Sequence, residues 1–169
     1  MGLPSKLKDF ILFNDGQSYM GKVPELTLPK LARKMEEYRA GGMTGPIMVD
    51  FGSEAITLEW TTGGVVVDAL KQYAANRHNA VQLRFAGAYQ NDDTGEVAAV
   101  EVVVRGRHQE IDMGSAKHAT ETAHKFNTAC SYYKLSVDNE VLIELDFMAG
   151  VELIGGVDRN AGIRKAIGL

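Results

Sequence analysis

The stretch Tyr132-Tyr-Lys-Leu-Ser-Val-Asp-Asn-Glu-Val-Leu-Ile-Glu-Leu-Asp-Phe147 decides the fold. Tyr132–Val137 reads as one arm of a hairpin and Val141–Phe147 as the other. In the second arm Val141, Ile143, Leu145 and Phe147 share a face, with Glu144 and Asp146 opposite. Tyr133, Leu135 and Val137 match them from the first arm. A period of two is the repeat of a strand with one buried face. Asp138-Asn139-Glu140 supplies the turn, because Asp and Asn tolerate left-handed backbone.

The same alternation recurs upstream. Ile56, Leu58 and Trp60 fall on one face, against Ala55, Thr57 and Glu59. In residues 80–90, Val81, Leu83 and Phe85 stand opposite Gln82 and Arg84. In residues 97–108, Ala98, Val100, Val102 and Val104 lie on one side. Glu101, Arg105 and Arg107 lie on the other, with Val97, Ala99 and Val103 among them. Asn91-Asp-Asp-Thr-Gly95 joins the last two segments with turn chemistry. All four prolines fall at or before Pro46, and the proline-free remainder suits uninterrupted sheet.

Helices are few. Thr61-Thr-Gly-Gly64 breaks a strand and offers a cap, after which Val66, Ala69, Leu70 and Tyr73 predict an amphipathic helix ending near Asn76. A second short helix is expected over Asp158–Ile167, capped by Asp158 and followed by Gly168. Residues 30–39 pull two ways. Leu31, Met35 and Tyr38 are helix-spaced, yet the flanks Leu26–Pro29 and Arg39–Pro46 favour extension.

The 169 residues fit one domain. Hydrophobic residues make up 45% and charged residues 24%, which argues against disorder. No apolar run reaches the roughly 20 residues of a membrane helix. Met1–Lys6 lacks the apolar centre of a secretory signal, so a cytoplasmic start is expected. A net charge of −4 without a basic stripe speaks against a specific grip on nucleic acid.

Catalytic constellations are missing. His78, His108, His118 and His124 form no metal motif of recognised spacing. Cys130 has no neighbour that would activate a thiol. Gly41, Gly42 and Gly45 lack the Gly-Lys-Ser/Thr ending of a phosphate loop, and Gly63-Gly64 lacks a dinucleotide fingerprint. Of the carboxylate pairs Glu36-Glu37, Asp92-Asp93, Glu110/Asp112 and Glu144/Asp146, the last two are same-face neighbours that a hydrolase could use, but they equally read as a solvated face. No catalytic residue, metal or cofactor is assigned.

What remains is architectural: long strands whose edges carry an aggregation hazard unless pairing is their purpose. Subunits that add strands to one another remove those edges. Head-to-tail contacts of this kind give rings or helical filaments.

Nine stretches carry a resemblance to a known family. They are Leu26–Leu31, Glu37–Met43, Leu58–Trp60, Arg84–Gln90, Asp92–Glu96, Val103–Arg107, Glu110–Asp112, Tyr132–Leu135, and Gly156–Arg159 with Ile167–Leu169. In this order the chain resembles the major tail tube proteins of contractile-tailed bacteriophages and the tubes of R-type pyocins.

The resemblance implies a mainly β fold: two packed antiparallel sheets, sandwich- or barrel-like, with one flanking helix and a short C-terminal one. It implies one tail tube domain over 1–169, assembling with itself into hexameric rings stacked as a helical tube. Tail sheath, tape-measure, baseplate and tail-terminator proteins would be the partners. The particle would be assembled in the bacterial cytoplasm. DNA would leave a phage through the bore, whereas a pyocin-like particle would perforate a membrane.

An extended arm over about 38–50 would reach a neighbouring subunit. It comprises Tyr38, Arg39, Ala40, Gly41, Gly42, Met43, Thr44, Gly45 and Pro46, and its extension is preferred to the helical reading. Glu59, Glu101, Glu144 and Asp146 are candidates for the lumen or outer wall, where an acidic bore would let DNA slide. A monomeric β-barrel ligand-binding module and a carboxylate-pair hydrolase are the competing readings.

Overall fold

Period-two segments become strands because each buries one face and satisfies its backbone through neighbours. The computed structural model describes residues 2–169, so Met1 of the N-terminal stretch lies outside the described residues. Along the described chain run β1 (Lys6–Asn14), β2 (Gln17–Ser18), β3 (Glu25–Thr27), β4 (Arg33–Tyr38), β5 (Ile47–Ser53) and β6 (Ile56–Thr62). Then come α1 (Val67–Leu70), β7 (Val81–Gln90), β8 (Val97–Asp112), β9 (His124–Val137) and β10 (Glu140–Asp146). The chain closes with β11 (Val151–Ile154), β12 (Val157–Asp158) and α2 (Ala161–Ala166).

All pairing is antiparallel. One ladder runs β12-β11-β10-β9-β8-β7-β1-β2, with β6 also on β9 and β3 on β6. A separate two-stranded sheet consists of β4 and β5. The fold is therefore mainly β with two sheets and two short helices. The ladder forks at β9: Tyr132–Val137 pair with β10, and His124–Cys130 pair with β6. β8 runs along the other edge of both halves.

The fork needs two bulges. Arg105 pairs with Tyr132 and Gly106 with Cys130, leaving Ser131 as the extra residue. His108 pairs with Thr128 and Glu110 with Asn127, leaving Gln109 extra. Ser131 reverses side-chain parity, so Phe126 and Thr128 point inward below it and Tyr133 above it. At the first bulge the strands nearly touch, and a Cβ on Gly106 would sit 1.9 Å from the Ala129 carbonyl oxygen.

The two limbs enclose one core of Leu12, Ile56, Leu58, Trp60, Val81, Leu83, Phe85, Val102, Val104, Phe126, Tyr133 and Leu145. Trp60 stacks on Phe126 at 4.3 Å between centroids, and Tyr19 approaches Trp60 from the β1 side at 6.1 Å. Beside these rings lies a buried polar chain. Trp60 Nε1 donates to Thr128 Oγ1 (3.2 Å), and His108 Nδ1 is 2.9 Å from the same oxygen. His108 Nε2 is 3.1 Å from Gln72 Oε1, and Gln72 exchanges hydrogen bonds with Asn14 at 2.7 and 2.9 Å. The consistent tautomer carries the proton on Nε2, with Nδ1 accepting from Thr128. Gln72 thereby fastens the segment after α1 to the core.

Of the two readings of residues 31–38 the preferred, extended one is found, and both helices change their bounds. Residues 31–38 are not helical, since Arg33–Tyr38 form a strand paired with β5. α1 stops at Leu70, and Tyr73 is exposed. Three consecutive β-branched residues, Val65–Val67, weaken its start, and Thr62 Oγ1 donates to the Gly64 carbonyl instead of capping. α2 begins at Ala161 rather than Asp158, whose carboxylate accepts from Asn160 N–H (3.0 Å) and pairs with Arg164 (2.6 Å). The Asp138-Asn139 turn has φ of 50° and 67°, and Glu140 already belongs to β10.

Replacing Gly106 by Ala forces β8 from β9. We expect a loss of roughly 3 kcal/mol, read as a lower urea midpoint at unchanged slope. An unaltered midpoint would refute the close approach. Burial pushes the His108 imidazole down to about 4 from its ordinary 6.5. Above pH 6.5 neither state is charged. As pH falls from 6.5 towards 4, only the unfolded chain binds the proton, so stability drops, by roughly 3 kcal/mol in all. Urea midpoints at pH 7, 5.5 and 4.5 should decline, and His108→Gln should flatten that decline.

Candidate assembly surfaces

Among the described residues, the surface left uncovered begins with the β4–β5 ribbon. Tyr38 opposes Ile47, Glu37 opposes Met48, Glu36 opposes Val49 and Met35 opposes Asp50. Tyr38 and Ile47 are 55% and 54% exposed, Met48 and Phe51 both 60%. Large apolar side chains are seldom gathered on a protruding element unless something covers them. The residues singled out from sequence lie at the far end: Tyr38 closes β4, and Arg39–Pro46 make the connection to β5. Met43 N–H donates to the Ala40 carbonyl at 3.2 Å within that tip.

At its base the ribbon is held by Arg33. Its Nε donates to both Asp50 oxygens (2.9 and 3.1 Å), while Nη1 reaches Ser53 Oγ (3.2 Å) and Glu152 Oε1 (3.0 Å) on β11. Arg33 foremost, and then the Gly52 amide, hold the Asp50 carboxyl below its usual range.

A second uncovered surface is an edge. β1 pairs with β7 along its length, but β2 covers its other side only at Phe13 and Asn14. Tyr19 N–H also donates to the Leu12 carbonyl (2.9 Å), so among the described residues the Lys6–Ile11 side is open, and Lys6, Lys8 and Asp9 stand along it as charges that discourage indiscriminate pairing. Lys8 pairs with Asp92 at 2.9 Å, and Leu3 N–H donates to Asp93 (2.8 Å), so the Asp92-Asp93 carboxylates anchor the N-terminal segment.

The four carboxylates proposed for the walls fall on two different outward faces. Glu101, Glu144 and Asp146 share one with Arg84, Arg105 and Lys134, by register across β7–β10. Arg84 pairs with Glu101 at 3.4 Å, Tyr132 donates to Glu144 at 3.0 Å, and Asp146 accepts the Met148 and Ala149 amides. Three acids thus face three bases. Glu59 lies on the other limb. There Glu25, Glu59, Glu110 and Asp112 surround Lys125 and Asn127, leaving an acidic surplus.

The remaining chemistry is quiet. Burial pushes the Cys130 thiol up to about 12. His78 Nδ1 lies 2.7 Å from Ser131 Oγ, and His108 belongs to the core. Sequence reasoning left out Arg33, Glu152 and the β1 edge. Arg33 and Glu152 are 119 residues apart, and no local pattern joins them.

A family model described as Phage tail tube protein FII matches residues 4–168. The tail tube protein of Escherichia phage P2 is 45% identical over 172 aligned positions, covering 100% of both chains. The major tail tube protein of Serratia phage KSP20 is 40% identical, covering 88% of this chain and 86% of that one. Among solved structures, a chain from the sheath/tube terminator of the extracellular contractile injection system PVC aligns with a TM-score of 0.59 at 12% identity. It covers 79% of this chain and 97% of that one. A chain from the PVC sheath–tube complex aligns at 0.56 and 12%, covering 75% and 87%. At such identities the two structures share the fold alone.

Proposed function

Because the chain belongs to the phage tail tube protein FII family, we propose that it is the repeating subunit of a contractile tail's inner tube, assembled as hexameric rings stacked in a helix. One observation carries this reading: two surfaces suited to pairing, the apolar β4–β5 ribbon and the Lys6–Ile11 edge of β1, have no strand partner among the described residues of the ladder. A neighbouring copy that pairs with the edge continues the ladder, and one that receives the ribbon buries its apolar side chains. Each seated Ile, Met or Phe, already nearly half-buried, adds about 1–2 kcal/mol of apolar transfer. Repeating a head-to-tail contact around an axis closes a ring, and repeating it along the axis extends a tube.

The subunit's work is mechanical rather than catalytic. Antiparallel ladders that satisfy every backbone group make a stiff wall around a bore. The Glu59 face best supports an acidic lining, because like charge keeps phosphate from binding while DNA slides. The partners are then further copies, an enclosing sheath, a tape-measure protein, a baseplate and a terminator. The place is the virion tail, after assembly in the host cytoplasm.

Negative-stain electron microscopy of the purified protein tests the reading. Rings or hollow rods are expected, and dispersed small particles at high concentration would overturn it. Deleting Gly41–Gly45 should abolish polymerisation by at least tenfold in yield of rods, with the urea midpoint kept. Normal rods from that variant would remove the arm from the mechanism.

A further inference from the structure

A two-stranded ribbon is marginal by itself, so its direction depends on how it is tied to the body. Among the described residues, one hydrogen bond leaves Arg33–Ser53 for the ladder: Arg33 Nη1 to Glu152 Oε1, at 3.0 Å. The joint is otherwise bent and thinly packed. Gly52 has φ +108°, which L side chains rarely adopt, and the register slips between Arg33 and Met35 opposite it. Beneath the joint lies the hollow lined by Leu31, Ile56, Ile143, Leu145 and Ile154. Beside it a groove of about 620 Å³ separates Phe51 from Ile163 of α2. Neither β4 nor β5 packs closely along a ladder strand, so apolar contact holds the ribbon's angle only weakly.

We propose that Arg33 is the positioning residue of the arm, linking Asp50 within the ribbon to Glu152 on β11, so that the ribbon is presented to a neighbouring copy at one angle. The assembly consequence rests on the tube reading above. The fork geometry matters: Nε is committed to Asp50 while Nη1 reaches Glu152, a division that a lysine ammonium cannot reproduce. An exposed ion pair shifts an equilibrium by no more than about fivefold. That is little for folding, but it acts directly on the fraction of subunits whose arm is ready to dock.

Glu152→Ala cuts the tie and leaves the Arg33–Asp50 pair in place. Two readouts test it. Spin labels on Met48→Cys and Lys165→Cys report the ribbon's distance from α2; Cys130, partly buried with its thiol pushed up to about 12, labels poorly. The parent should give one narrow distance and Glu152→Ala a broad distribution, with Glu152→Gln between them. Light scattering should then show a three- to fivefold longer assembly lag for Glu152→Ala, at an unchanged urea midpoint. Identical distance distributions would overturn the proposal, as would a lag that lengthens only in step with lost stability. A parent that forms no rods sinks the tube reading instead, and leaves the distance measurement to decide on Arg33.

Discussion

Where a side chain at position 106 would begin, the Ala129 carbonyl oxygen already stands, and this contact between β8 and β9 organises the molecule. Only glycine lets the strands approach so closely. The bulge that forms there expels Ser131 from register and turns β9 over. One strand can then serve β6 with its first half and β10 with its second. Two limbs diverge from it, and Trp60, Phe126 and Tyr133 meet between them. Without the parity reversal, one half of β9 would present its polar face to the core.

The same arrangement decides what is left unpaired. A ladder that forks instead of closing into a barrel has ends. β12 is two residues long and gives little edge, but β1 leaves most of its outer side open. The chain between β3 and β6 finds no place in the ladder and pairs with itself as the ribbon. Unpaired backbone in water is tolerable because water bonds to it, and that water is what another strand displaces. Apolar side chains beside such backbone make the exchange favourable, and the ribbon has them in Tyr38, Ile47, Met48 and Phe51.

Most strands were legible because period-two alternation is local: Ile56/Leu58/Trp60, Val81/Leu83/Phe85 and the 132–147 hairpin lie on β6, β7, β9 and β10. The bulges were not, since Ser131 and Gln109 look like any other strand residue until a partner's register is known. The ribbon gave an ambiguous signal, because Leu31, Met35 and Tyr38 have helical spacing and only Pro29 and the glycines spoke for extension. α1 is shorter than its spacing implies, since Tyr73 keeps the helical interval yet stands exposed. The polar chain through Asn14, Gln72, His108 and Thr128 joins four distant segments. Each of these residues alone reads as an ordinary surface group. The arm was named at its tip, whereas its base, Arg33 with Glu152, depends on tertiary proximity.

A subunit of this kind has to stay soluble until it meets a growing end, and the distribution of charge answers that need. Glu36 and Glu37 sit between Met35 and Tyr38 on the ribbon, opposite Val49 and Met48, and Lys6, Lys8 and Asp9 line the open edge. A partner arriving in the wrong register sets like charges against each other or leaves them without water, which costs more than the apolar contact returns. A copy docked as proposed would leave the charges at the rim and cover the apolar residues. Uniformly apolar surfaces would bind sooner but in many ways, and a regular tube requires a single way. Interleaving charge with apolar side chains exchanges strength at each contact for uniqueness, and repetition along the tube restores the strength.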